Sequence, residues 1–327
     1  MKETAYAYAV AYTRALENRM LQRADLEAML ALPSEKDALK YLADKGYGNS
    51  GSKTAAGAEE MMKNELEYTW SEVQNACPEG APIDILLYQN DFHNLKTILK
   101  SIFDGSVSGY ESLLLGPYIT DPAFIYESIT TGKTDDFPPL LRDAAKRAYD
   151  ILASTNDGQL AEIELDKAAF SAMAEVAANS REPFLIGWAD LSIALLNMSI
   201  ALRGAKAKKS KSFLTGAMLK CKNIDNSVLL NAAESGLTEV IAAFTQCGFE
   251  DAAKAAEESV SEFERWRDNK RLNYLKAARY KAFGFEPLLG FLVGKQTELQ
   301  SVRIILSGLR GGIDAETLRG RLRDLYV

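Results

Sequence analysis

The sequence predicts an all-α protein assembled from three related helical modules, and three observations lead there. Ala, Leu, Glu, Lys and Arg, the good helix formers, fill long stretches of the 327 residues. Prolines number only nine, below the usual share of about 5%. The chain also matches itself at a period slightly over one hundred residues. A hydrophobic fraction of 47% and a charged fraction of 25% are ordinary for globular proteins and exclude wholesale disorder.

The elements follow in chain order. Tyr6, Tyr8 and Tyr12 alternate at period two, locally like a strand, but Leu16, Met20 and Leu21 continue the pattern as a helix. The tyrosines are therefore assigned to core packing. Asp25 opens an apolar helix, and Ala38, Leu39, Tyr41 and Leu42 recur at helical spacing just before Gly46. Gly46-Tyr-Gly48-Asn-Ser-Gly51 has the form G-x-G-x-x-G, with Lys53-Thr54 close behind. It follows a helical pattern instead of a strand, and the phosphate-loop spacing fails by one residue. It reads as a loop between helices, with no nucleotide site.

Long apolar helices are predicted at 83–103, 184–203 and 287–307. Late in each comes a matching string: Asn94-Leu-Lys-Thr-Ile-Leu-Lys100, Asn197-Met-Ser-Ile-Ala-Leu-Arg203 and Ser301-Val-Arg-Ile-Ile-Leu-Ser307, at offsets of 103 and 104. Gly105, Gly204 and Gly308 follow and are read as helix stops. The middle helix approaches the ~20 residues that cross a bilayer. Its counterparts, however, carry Asp91 and Lys96, or Lys295, Glu298 and Arg303, so it is read as a helix buried in a folded domain. Asp37–Gly48 resembles Glu239–Glu250 two periods on, Asp25 pairs with Asp225, and Thr120-Asp-Pro-Ala-Phe-Ile125 makes a similar helix start. The period is too long for tetratricopeptide or HEAT units of ~34–47 residues. It predicts modules at 1–109, 110–209 and 210–327, with junctions near Gly105–Gly109 and Gly204–Lys211, in an approximate pseudo-threefold arrangement.

Charge and composition exclude several functions. A net charge of −7 argues against nucleic acid and against electrostatic adhesion to anionic lipid. Cys77, Cys221 and Cys247 form no disulfide framework, which points to a reducing compartment, and the opening Met-Lys-Glu-Thr lacks a secretory leader pattern. His93 is the only histidine, and its surroundings offer only Asp91, too little for a metal site. It reads as a packing or helix-surface residue, with general acid–base chemistry as the sharper alternative. Asp91 and Asn94 share a helical face and Lys96 lies elsewhere on the turn. Arg203 to Lys211 holds five cations in nine positions. It reads as a solvated linker between modules, with lipid phosphates or an acidic partner as the functional alternative. No Ser-His-Asp or Cys-His set can be assembled, and no cofactor or metal is expected.

Three segments carry a family resemblance: YAYAVAYTRALENRMLQRADLEAML (6–30), ILLYQNDFHNLKTILK (85–100) and LRGRLRDLYV (318–327). Together they resemble the C subunits of the V/A-type ATPases, a family shared with the d subunit of eukaryotic V-ATPases. The resemblance spans essentially the whole chain, and its most specific parts are Asp91, His93, Asn94 and Lys96, with Arg321 and Arg323 near the end. It implies three helical modules in a funnel-like body without an active site or cofactor. It implies a cytoplasmic rotor component, peripheral on the membrane, that joins the D and F subunits of the central stalk to the proteolipid ring. The six named residues would then serve structure or partner contact. The second repeat departs from the pattern, with Asp190-Leu-Ser-Ile-Ala-Leu after its acid. Read without the resemblance, the chain is a helical scaffold unrelated to rotary ATPases.

Overall fold

The computed structural model describes residues 3–48, 57–105, 110–155 and 158–327. Positions 49–56 of the glycine motif and 106–109 of the first predicted junction therefore lie outside the described residues. Among the described residues there is no strand. The helices are α1 (Ala7–Glu17), α2 (Arg23–Leu30), α3 (Glu35–Asp44), α4 (Ala58–Ala76), α5 (Asp84–Phe103), α6 (Pro122–Thr131), α7 (Pro139–Thr155) and α8 (Gly158–Ser180). They continue as α9 (Pro183–Lys206), α10 (Lys211–Ala217), α11 (Asn226–Ser235), α12 (Leu237–Gln246), α13 (Glu250–Glu258), α14 (Val260–Lys276), α15 (Glu286–Arg310) and α16 (Ala315–Arg321). Short 3-10 turns precede α1, follow Gly105 at Tyr110–Leu113, and follow α14.

Packing divides the chain into two compact units. The first joins both ends of the chain, Met1–Ala81 with Gly248–Val327. Its centre is α15, most of whose residues are buried, Lys295 and Glu298 included. Around it pack α1, α2, α3, α4, α14 and α16. The core combines Leu26, Met29 and Leu42 with Val302, Ile305 and Leu318, all almost fully buried.

The second unit is Pro82–Cys247. In it α5 packs on α6, α7 and α8, while α9 packs on α8, α10, α11 and α12. Phe92, Leu95, Ile98 and Leu99 of α5 meet Ile125, Leu141 and Leu165 in its core. By length and hydropathy α9 could cross a membrane, yet 72% of its most apolar window is buried inside the protein.

Several helix ends follow side-chain capping signals. Asp121, Ser210, Asp225, Ser259 and Asp314 each accept a backbone N–H from the first turn of α6, α10, α11, α14 and α16. Asp25 differs from Asp225: it sits inside the first turn of α2, accepting the Gln22 N–H at 2.8 Å in a capping box.

Two sequence expectations are corrected here. Gly204 and Gly308 lie inside α9 and α15 and do not end them. A Cβ at Gly204 would stand 2.4 Å from the Leu214 side chain, and one at Gly308 would stand 2.2 Å from Leu318. These glycines let α10 and α16 fold back against the long helices. The left-handed residues past the three helix ends are instead Gly105 (φ 68°), Lys208 (φ 51°) and Gly312 (φ 65°). Tyr6 is buried, but Tyr8 is exposed and stacks on Tyr12, with centroids 5.9 Å apart. The stretch from Arg203 to Lys211 is the end of α9 and the start of α10, joined through residues 207–210.

Candidate functional site

The residues singled out from sequence fasten extended segments to the long helices. After α5 the chain turns at Tyr110–Leu113 and runs back antiparallel along the helix. Asn94 makes a two-way amide pair with Leu115: its Nδ2 donates to the carbonyl (2.8 Å) and its Oδ1 accepts the N–H (2.7 Å). One turn earlier, the Asp91 carboxylate accepts the N–H groups of Ile119 (2.9 Å) and Thr120 (3.0 Å). Asn90 donates to the Pro117 carbonyl at 2.7 Å, and His93 Nε2 pairs with the Leu113 carbonyl at 3.0 Å. The segment then enters α6 at its Asp121 cap.

Asn94 and Asp91 are almost wholly buried, so every polar atom of the clamp needs a partner. Burial pushes the Asp91 carboxyl up to about 6, and the two backbone N–H bonds oppose that shift. Lys96, on another side of α5, pairs with Asp166 of α8 at 2.8 Å.

The same device recurs on α9. Asn197 donates to the Leu219 carbonyl (2.7 Å) and accepts its N–H (3.1 Å). Asp190, two turns earlier, accepts the N–H groups of Lys222 (2.8 Å) and Asn223 (3.0 Å). The segment enters α11 at its Asp225 cap. Thus the stretch after Asp190 that departs from the family pattern keeps the acid and amide roles at a different spacing.

On α15, Ser301 Oγ accepts the Arg323 N–H at 3.2 Å, and Tyr326 lies over Gly290 and Gly294. Arg323 also donates through Nε and Nη2 to Asp268 Oδ2, both at 3.1 Å. Arg321 is exposed, and its carbonyl accepts from Arg323 Nη1 at 2.8 Å. The acid of this helix, Glu298, accepts the N–H of Leu21 at 2.7 Å, in the segment that leads into α2. Both ends of the chain are thus fastened to α15.

Of the six singled-out residues, Asp91, His93, Asn94 and Lys96 fall in one unit and Arg321 and Arg323 in the other. Sequence reading missed the cluster around Glu298. Lys295 Nζ donates to Glu298 at 2.7 Å and to Glu65 of α4 at 3.1 Å. Tyr47 OH donates to Glu298, and the Gly48 N–H donates to Glu65 at 3.1 Å. All four side chains are buried. Burial raises the Glu298 carboxyl while Lys295 beside it pulls the other way, and Tyr47 is held well above its ordinary value. The available signal was Lys295 and Glu298 at i,i+3 on an otherwise apolar helix.

This arrangement anchors returning backbone to the long helices. The one histidine makes a carbonyl contact, and among the described residues no group of three or more His, Cys, Asp or Glu stands together as a metal site would.

Comparison with known proteins agrees with the resemblance. The chain is 21% identical over 272 residues to the C subunit of the V-type sodium ATPase of Enterococcus hirae, covering 82% of each chain. Residues 9–321 match the family described as ATP synthase (C/AC39) subunit. With the match running across both units and all three clamped helices, the chain belongs to the ATP synthase (C/AC39) subunit family.

Proposed function

We propose that this chain is a non-catalytic rotor component of a V/A-type rotary ATPase, a socket that joins the D and F subunits of the central stalk to the membrane proteolipid ring and transmits torque between them. It would lie on the cytoplasmic face, held to the membrane through the ring. The family match over residues 9–321 carries this reading. It also sets aside the alternative of a scaffold unrelated to rotary ATPases.

The clamps suit the task. One charge crossing 100 mV is worth ~2.3 kcal/mol, so several ions per turn load the joint with ~10 kcal/mol or more. A coupling under that load needs stiff helices and broad contacts more than one reactive site, and close packing supplies the stiffness.

The three modules at 1–109, 110–209 and 210–327 belong to the same proposal. Supporting them, the clamped positions Leu115, Leu219 and Arg323 recur every 104 residues, and the caps Gly105, Lys208 and Gly312 recur at 103 and 104. Within this frame Asp91, His93, Asn94, Lys96, Arg321 and Arg323 position segments or contact partners, and none performs chemistry.

Affinity purification of the tagged chain from membranes tests the reading. Recovery with the D and F subunits and the proteolipid ring, and no ATP turnover by the isolated chain, is expected. Recovery without both neighbours would overturn it.

A further inference from the structure

Seven of the chain's 38 lysines and arginines fall between Arg203 and Lys222, and none of its 45 acids lies between Asp190 and Asp225. The rest of the chain therefore carries −14 (−7 − 7), and the overall net charge conceals a cationic stretch that runs from the end of α9 through α10 and back along α9 to Asp190. Salt screens surface charges beyond ~10 Å, so a binding surface responds to local charge and not to the total. Six of the seven side chains are exposed, and Lys209 is half-buried against the Phe213 ring. Lys211 pairs with Glu234 at 3.1 Å and Lys209 with Gln159 at 2.8 Å. Among the described residues, Lys206, Lys208, Lys220 and Lys222 make no ion pair.

Lys208 supplies the second observation. It occupies the left-handed cap that glycine fills at 105 and 312, a conformation costing a side chain about 1 kcal/mol. An exposed lysine kept where glycine would relieve strain suggests a use for its charge.

We propose that this stretch, from Arg203 through α10 to Lys222, is a contact surface for an anionic lipid bilayer. The chemistry favours lipid over an acidic protein. Six of the seven cations are lysines, mobile point charges without the planar fork that arginine offers a fixed carboxylate. Lysine is depleted from protein–protein interfaces, whose cores use aromatic residues, Met and Arg. No large exposed hydrophobic side chain lies between 203 and 222 to form such a core. Clusters of four to eight basic residues of this kind bind acidic headgroups electrostatically. The inference does not depend on the rotor reading.

The test is co-sedimentation of the full chain with vesicles of phosphatidylcholine alone, or mixed with phosphatidylglycerol, at low and high salt. Binding to the mixed vesicles only, weakened by salt, is expected. Each lysine near an anionic surface contributes ~5-fold, so Lys206→Gln, Lys208→Gln, Lys220→Gln and Lys222→Gln together should weaken binding ~100-fold or more. Circular dichroism of that variant should match the parent. Lys208→Gly alone should bind vesicles more weakly while melting at a higher temperature, which separates charge from folding. Absence of binding to the mixed vesicles, or equal binding by the quadruple variant, would overturn the proposal. Retention on immobilised polyglutamate without vesicle binding would overturn it in favour of an acidic protein partner.

Discussion

Asp91 and Lys295 show how buried charge is managed side chain by side chain. The Asp91 carboxyl titrates near 6 in the fold against 3.8 ordinarily, so between those values the native state holds a proton that the unfolded chain has lost. Its contribution to stability is present below about pH 4 and is lost as pH rises to 6, roughly 2–3 kcal/mol in all. Denaturant titrations from pH 4 to 7 should show that slope in the parent and not in Asp91→Asn. Lys295 balances two buried carboxylates, so Lys295→Met should cost ~3–5 kcal/mol in urea unfolding by leaving Glu65 and Glu298 without a counter-charge. Adding Glu298→Gln should recover part of the loss, because the two side chains touch. His93 makes one partly exposed contact to a carbonyl, and His93→Ala should cost about 1 kcal/mol.

At the scale of elements, the short helices α10 and α16 depend on glycines in their long partners. Leu214 and Leu318 occupy the space that side chains at Gly204 and Gly308 would fill. Gly308→Ala should therefore cost ~1–3 kcal/mol through overpacking. Faster hydrogen exchange in α16, with α5 and α8 unchanged, would locate the effect. The long helices themselves were legible: expected spans of 83–103, 184–203 and 287–307 compare with 84–103, 183–206 and 286–310. Apolar runs, helical periodicity and self-similarity agree there. What misled the reading was glycine, which marks a helix stop and a close approach with the same letter. The stop at Lys208 carried no glycine at all, so only the backbone conformation reveals it.

Across the whole molecule, one unit is made from both chain ends and the other from the middle. Residues 18–22 and 322–327 both lie on α15, with Leu322 and Tyr326 buried. Removing 322–327 deletes a buried leucine and tyrosine, uncovers the face of α15 beneath them, and should cost at least ~3 kcal/mol. Exchange should quicken in α2, α15 and α16 while the helices of 82–247 keep their protection; uniform loosening of both units would refute that separation. By itself the sequence determined that the chain is helical, where the three long apolar helices run, and to which family it belongs. Those are properties of composition, local periodicity and ordered motifs, written in neighbouring residues. Only the tertiary structure decided that Asn94, Asn197 and Ser301 hold returning backbone, and that Glu65 meets Lys295 across 230 residues. Pairing between buried polar groups depends on which distant segments the core brings into contact, and no local pattern encodes that.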